Sequence, residues 1–155
     1  MSRCPVCTGA LVVVGSRPRT RRTPTGDRQV LVIRRLRCTT CHRIHHELPA
    51  CLVPYKRYDA ESWEAVAQHG RQAAVAVDEG TLRRWLGWLT TWGAAARRLW
   101  AALAARAGPG WGDPWPVALH GSPPWPAAPP GWLGIVVPHL VQHAGWGQTR
   151  SAWLA

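Results

Sequence analysis

The sequence predicts an α+β chain in three parts. A small zinc ribbon of two to three short antiparallel strands comes first, then a helical, helix-turn-helix-like region, then a Pro/Trp-rich, largely irregular tail. Three observations lead there. Two Cys-x-x-Cys pairs, Cys4/Cys7 and Cys38/Cys41, bracket β-branched runs. Apolar residues between Leu82 and Leu103 recur in steps of three and four. Past residue 107, proline is too dense for a continuous helix. The boundaries fall at residues 1–54, 55–107 and 108–155 of a 155-residue chain, room for one ordinary domain or two small ones.

The first part is organised by its thiols. A two-residue spacer lets one tight knuckle aim both sulfurs at a single ion, and two facing knuckles complete a tetrahedron of soft ligands. Cys4, Cys7, Cys38 and Cys41 are therefore the expected ligands of a Zn2+ ion, although four thiolates at these spacings also suit a single iron or a cluster. A thioredoxin-like redox pair needs a strand before it, and only three residues precede Cys4. Cys38-Thr39-Thr40-Cys41-His42 matches the c-type haem attachment motif, but that reading leaves the first pair unexplained. Haem attachment and disulfides both go with export, for which the N-terminus offers no apolar signal segment. A cytoplasmic location is expected.

The elements follow in order. Residues 10–14 form a short β-branched run closed by Gly15, a first strand. Residues 16–28 carry Arg17, Arg19, Arg21, Arg22 and Arg28 between Pro18 and Pro24, which predicts a solvated loop, read functionally as a phosphate-gripping arm. Residues 29–37 give a second strand, and 44–48 a third that carries His45 and His46. With four Cys present, His42, His45 and His46 are expected at the surface or facing phosphate, and Cys51, with no partner at knuckle spacing, as a buried thiol. So small a module buries too little surface to stand alone, and metal binding is expected to supply the deficit.

A Pro-bounded connector follows, with Tyr55 and Tyr58 expected to pack the ribbon onto the next part and Lys56 and Arg57 between them. Asp59 is a suitable N-cap for a helix over 60–69 ended by Gly70, with a second short helix over 71–77. Asp78 caps a third helix, whose apolar face runs from Leu82 through Trp85, Leu89, Trp92, Ala96 and Trp100 to Leu103. Gly87 and Gly93 weaken it and are places where it breaks in two. Two readings stay open: a helix-turn-helix with Thr81, Arg83 and Arg84 at the start of a recognition helix, or a helical hairpin with solvated arginines. The tail holds six tryptophans and one short helix expected near 133–143, where His139 and His143 stand four apart without a third ligand.

Charge separates the parts. Of the net +11, residues 1–58 hold twelve Arg/Lys against two acids, so the basic surface belongs to the metal module. Such a patch favours a polyanion, with DNA expected, RNA possible and a merely solvated face as the alternative. Codon bias toward Arg, Ala, Gly, Pro and Trp makes Arg in place of Lys a weak pointer to guanidinium chemistry. No run of eighteen uncharged apolar residues is present, so no membrane partner is expected. The expected nucleic-acid contacts are Arg17, Arg19, Arg21, Arg22, Arg28, Lys56, Arg57, Thr81, Arg83 and Arg84.

Cys4-Pro5-x-Cys7, the run Arg34-Arg35-Leu36-Arg37-Cys38 continuing through Cys41, His45, Leu48 and Pro49, then Pro54-Tyr55-Lys56-Arg57-Tyr58 and Thr81-Leu82-Arg83-Arg84-Trp85 occur in that order. Together they resemble a bacterial family whose members are similar to the N-terminal zinc-ribbon and helix-turn-helix portions of insertion-sequence transposases. The resemblance covers roughly residues 1–92 and implies DNA binding. A transposase proper needs converging carboxylates on catalytic metal ions, and after residue 92 the only acid is Asp113. Ser16, Ser62, Ser122 and Ser151 lack nucleophile-elbow contexts. The expectation is a DNA-binding protein without catalytic activity or a small-molecule substrate, acting as a mobile-element accessory, remnant or small regulator. An RNA-binding ribbon and a protein-interaction adaptor that uses the Trp-rich tail are the alternatives.

Overall fold

Strand pairing takes over most of the arginine-rich stretch. β1 (Leu11–Arg22) pairs antiparallel with β2 (Arg28–Cys38), and the short β3 (Ile44–His46) pairs with the other edge of β2. The computed structural model describes residues 3–107 and 121–142. The loop expected over 16–28 shrinks to the turn after Arg22, where Gly26 donates to Thr23 O and Thr23 to Asp27 O. Alternation explains the difference, because Arg17, Arg19 and Arg21 fall on one face and every second residue points away from them. Pro18 is tolerated because β1 is an edge strand. The register shifts between Val13 and Gly15, where Gly15 takes φ +143°, a bulge.

The two faces of the hairpin differ. Arg17, Arg19 and Arg21 oppose Ile33, Leu31 and Gln29, and Ile33 is buried, so this face looks inward. Pro18, Thr20 and Arg22 oppose Val32, Val30 and Arg28 on the outward face, where Val30 and Val32 are 58% and 72% exposed. The hairpin tip rests on the helical part: Ala76 N–H donates to Pro24 O, and a Cβ on Gly26 would stand 3.1 Å from the Ala76 Cβ.

Asp59 caps α1 (Ala60–His69) by accepting from the Ser62 N–H and hydroxyl at 3.0 and 2.7 Å. Gly70, at φ +58°, ends the helix and begins a single 3-10 turn, Gly70–Gln72. The short helix expected over 71–77 does not form. Val75 and Val77 donate to the carbonyls of Ala73 and Val75, while Ala76 is engaged on both sides, by Pro24 and by the Tyr58 hydroxyl. Backbone groups spent on the hairpin tip are unavailable to a helix.

α2 (Glu79–Ala107) runs unbroken through Gly87 and Gly93 for 29 residues, about 44 Å. Asp78 caps it through the Thr81 N–H and hydroxyl. The reason Gly93 does not break it is contact: it lies under the Trp125 ring. Trp125 comes from the segment expected to be irregular. Residues 121–142, including α3 (Trp132–Gln142), pack into the same core as α1 and α2, with Trp125, Trp132, Leu133, Val136 and Leu140 buried. Glu64 of α1 holds the start of α3 by accepting from Gly131 and Leu133 N–H, both at 2.8 Å, and burial pushes its carboxyl upward. Residues 108–120 and 143–155, with Pro114-Trp115-Pro116, Asp113 and His143, lie outside the described residues.

Aromatic rings unite the helical core. Tyr58 meets Trp85 edge-on at 4.9 Å, Trp85 stacks on Trp63 at 4.1 Å, and Trp63 meets Trp88 edge-on at 4.7 Å. Trp88 stacks on Trp92 at 5.3 Å, Trp92 reaches Trp132 at 6.0 Å, and Trp132 meets Trp125 edge-on at 5.9 Å. Such pairs add to the burial of 150–250 Å² per ring by about 0.5–1.5 kcal/mol each. Tyr58 thus joins ribbon to helices as expected, whereas Tyr55 sits at φ +63° and is 69% exposed. Among the described residues no helix is long and apolar enough to cross a membrane.

Candidate metal centre

The two cysteine knuckles are built alike. Cys4 N–H donates to Gly9 O and Thr8 N–H returns to Cys4 O, both at 2.9 Å. In the second, Cys38 N–H donates to Arg43 O at 3.0 Å and His42 N–H to Cys38 O at 3.1 Å. Each knuckle turns through a left-handed residue just after its second cysteine, Thr8 at φ +60° and His42 at φ +59°. The first leads into β1 and the second leaves β2, so antiparallel pairing of Leu11 with Cys38 brings them face to face.

All four Sγ atoms lie within 4.8 Å of one another, with Cys7–Cys38 at 3.4 Å and Cys4–Cys41 at 3.7 Å. The cysteines are free thiols, far beyond the bonding distance of about 2.05 Å in a disulfide. Around an ion with bonds of about 2.3 Å, tetrahedral sulfurs stand about 3.8 Å apart, so the four fit one metal ion. Cys4 and Cys38 are buried and Cys7 and Cys41 half-buried.

Local hydrogen bonds tune the sulfurs. Cys38 Sγ accepts from the N–H groups of Cys41 and Thr40 at 3.5 and 3.4 Å, and these, Cys41 first, bring its thiol down to about 6. At Cys7 the Gly9 N–H lowers the pKa, but the neighbouring thiols, Cys38 foremost, and burial outweigh it and push the thiol up to about 11. In the folded knuckles Cys38 is thereby favoured as a thiolate, and Cys7 is kept for an ion to deprotonate.

Four residues beside the cysteines take part, of which Gly9 and Thr8 went unnoticed in the sequence. Gly9 packs against the second knuckle so tightly that a Cβ on it would stand 3.0 Å from Cys38 Sγ. Thr8 and His42 supply the left-handed turns. His45, expected at the surface, is half-buried with Nε2 3.4 Å from Cys4 Sγ, beside the sulfur cluster. A usable signal was the matched pattern of each pair, since both are followed by one turn residue and then a backbone acceptor. Cys51 stands outside the cluster and is half-buried rather than buried.

The ten basic or polar residues expected to contact nucleic acid divide into groups. Arg19 Nη2 donates to the carbonyls of Val53 and Lys56 at 3.2 and 3.1 Å, and Arg21 bonds Gln29 Oε1 and lies 3.6 Å from Asp59. Both tie the hairpin to the connector. Arg22, whose Nη1 donates to Gly26 O, and Arg28 are exposed on the outward face, while Arg17 is exposed on the inward one. Lys56, Arg57, Thr81 and Arg84 line one groove of about 730 Å³ with Tyr58, Trp63, Trp85 and Trp88. Within it the Lys56 ammonium lies 4.4 Å from the Trp88 ring centre and 4.9 Å from that of Trp63. Arg84 donates to the Thr81 hydroxyl, and Arg83 is exposed on α2.

A family model described as a domain of unknown function (DUF6431) matches residues 4–85, a stretch holding the whole sulfur cluster, the hairpin, α1 and the first turns of α2. No curated protein and no solved structure matches the chain. On that match, the chain belongs to the DUF6431 family.

Proposed function

We propose that this is a zinc-ribbon protein that binds duplex DNA without catalysing a reaction, through the outward face of the β1–β2 hairpin. One observation carries the reading. The outward face sets exposed Arg22, Arg28 and Arg34 around Thr20, Val30 and Val32 on a two-stranded antiparallel ribbon. A ribbon of that width enters the major groove, where arginine contacts phosphate or guanine and valine meets the thymine methyl. The groove containing Lys56, Arg57 and Arg84 supplies further cations. Zinc is the metal best suited to four thiolates, and free thiols suit a reducing compartment such as the cytoplasm. Such a module, akin to the recognition part of a transposase, would act as an accessory, remnant or small regulator.

The test is the salt dependence of binding to a pool of genomic duplex fragments. Arg22→Ala with Arg28→Ala removes two expected phosphate contacts and lowers the slope of log affinity against log salt by about 2. An unchanged slope in a folded variant rejects the assignment. Exposed Val30 and Val32 favour a second reading, an adaptor that docks a protein through this face. Loss of duplex binding at moderate salt, with Val32→Asp abolishing capture of a co-purifying partner, selects it. Stronger competition by structured RNA than by duplex DNA selects an RNA ligand instead.

A further inference from the structure

A second cavity, of about 560 Å³, opens where the metal end of the sheet, the connector and the later turns of α3 meet. Arg3, Arg17, Arg19 and His46 line it along with a single carboxylate, Glu47, which is already bonded to Arg34. Arg19 is fixed there by its bonds to Val53 O and Lys56 O, and its Nε is buried with no hydrogen-bond partner among the described residues. Apolar side chains, Leu36 and Val137 among them, make up the rest of the wall. The lining is therefore amphipathic, with cationic and apolar side chains together.

We propose that this cavity binds a phosphorylated small molecule of mononucleotide size, its phosphate held by Arg3, Arg17 and Arg19 and its ring laid on the apolar wall. The volume falls among those of small-molecule sites, about 300–1,000 Å³. Guanidinium forks match phosphate oxygens in pairs, and a fork pre-set by backbone carbonyls loses little freedom on binding. Uncompensated positive charge is also visible in the neighbours. His46 is held below its ordinary value by burial and then by Arg17, Arg35 and Arg19, and Arg19 is lowered by burial and then by Arg17. A bound dianion relieves this repulsion. Arg17 and Arg19 fall on the inward face, away from Arg22 and Arg28, so the proposal stands apart from duplex binding by the outward one.

The experiment titrates each of the four ribonucleoside monophosphates, the matching nucleosides and inorganic phosphate into the metal-loaded full chain at physiological ionic strength, followed by calorimetry. At least one monophosphate is expected to bind saturably, about tenfold or more tighter than its nucleoside or phosphate alone. Arg17→Ala is expected to weaken it about tenfold, as is Val141→Glu, which sets a carboxylate at the partly exposed edge of the cavity. Arg98→Ala, exposed on α2, is expected to leave affinity unchanged. Far-UV circular dichroism checks that each variant is folded. Absence of saturable binding, phosphate binding as tightly as every monophosphate, or equal losses in Arg17→Ala and Arg98→Ala overturns the proposal.

Discussion

Gly9 and Thr40 approach so closely that a Cβ on the glycine would lie 2.5 Å from Thr40 Oγ1 and 3.0 Å from the Thr40 Cβ. The contact sets how near the two knuckles come and hence the span of the four sulfurs. Gly9→Ala forces them apart, so metal affinity should fall at least about tenfold, as it does when groups supporting a site are disturbed. Thr40→Gly in the same chain removes the clash and should restore most of that loss. Competition against a chromophoric chelator measures both, and a Gly9→Ala protein with unaltered affinity refutes the steric account.

Removal of the metal should unfold the ribbon. The segment has few buried side chains beyond Ile33, Leu36 and the cysteines, so a bound ion would be its main source of stability, about 10–16 kcal/mol apparent for structural zinc. Chelation is expected to erase the β contribution to far-UV circular dichroism while the tryptophan core keeps its helices. Rebinding by the unfolded ribbon should release close to four protons at neutral pH, because the hydrogen bonds that draw Cys38 down to about 6 form only with the knuckle. Acid returns those protons and competes with the metal, so stability falls as pH drops below neutral. Calorimetry in two buffers of different ionisation enthalpy counts the protons, and spectra untouched by chelator contradict the stabilising role.

What the sequence revealed depended on range. Cys4, Cys7, Cys38 and Cys41 announce themselves because knuckle chemistry is local, and the Asp59 and Asp78 caps likewise act within one turn. The arginine stretch misled because strand formation by residues 16–22 depends on partners six to eighteen positions away, while the local pattern of Arg and Pro reads as loop. The same applies at 71–77, whose backbone is claimed by Pro24 and Tyr58 from another part of the chain. Composition pointed away from order in the Trp-rich segment, yet Trp125 and Trp132 are core residues because Gly93 and Glu64 on other helices receive them. Of the expected contact residues, Arg19 and Arg21 carry the same charge as Arg22 and Arg28, and only strand parity sorts them inward and outward.

Gly87 and Gly93 offer a paired test of that packing. Both sit inside α2, where alanine is favoured over glycine by about 1 kcal/mol. A Cβ on Gly87 meets nothing within 4 Å, so Gly87→Ala should stabilise by up to about 1 kcal/mol. On Gly93 it would stand 2.9 Å from Trp125 Cη2, so Gly93→Ala should destabilise by about 1–3 kcal/mol. Combining Gly93→Ala with Trp125→Leu should cost less than the two changes summed, because the shortened side chain makes room. Urea denaturation gives all four values; equal gains from the two alanines would mean that residue 125 does not rest on α2.

Lys56 supplies the pH dependence. Its ammonium sits over the Trp63 and Trp88 rings, and burial brings it down to about 8. The fold therefore disfavours the charged form relative to the unfolded chain, where lysine titrates near its ordinary 10.5. Between those values the unfolded state holds more protons, so stability must rise as pH climbs from 8 to 10.5, and the full cost of the charge is carried below 8. The two ring faces return part of that cost through their attraction for the cation. Lys56→Met keeps the stem and removes the charge, so it should raise the midpoint of thermal unfolding at pH 7 and lose that advantage by pH 10.5. Because other groups contribute to the pH dependence of stability, the informative quantity is the difference between variant and parent at each pH. A difference that stays constant from pH 7 to 10.5 would show that the ammonium is not desolvated by the indoles, and one of opposite sign at pH 7 would show that the ring faces outweigh burial.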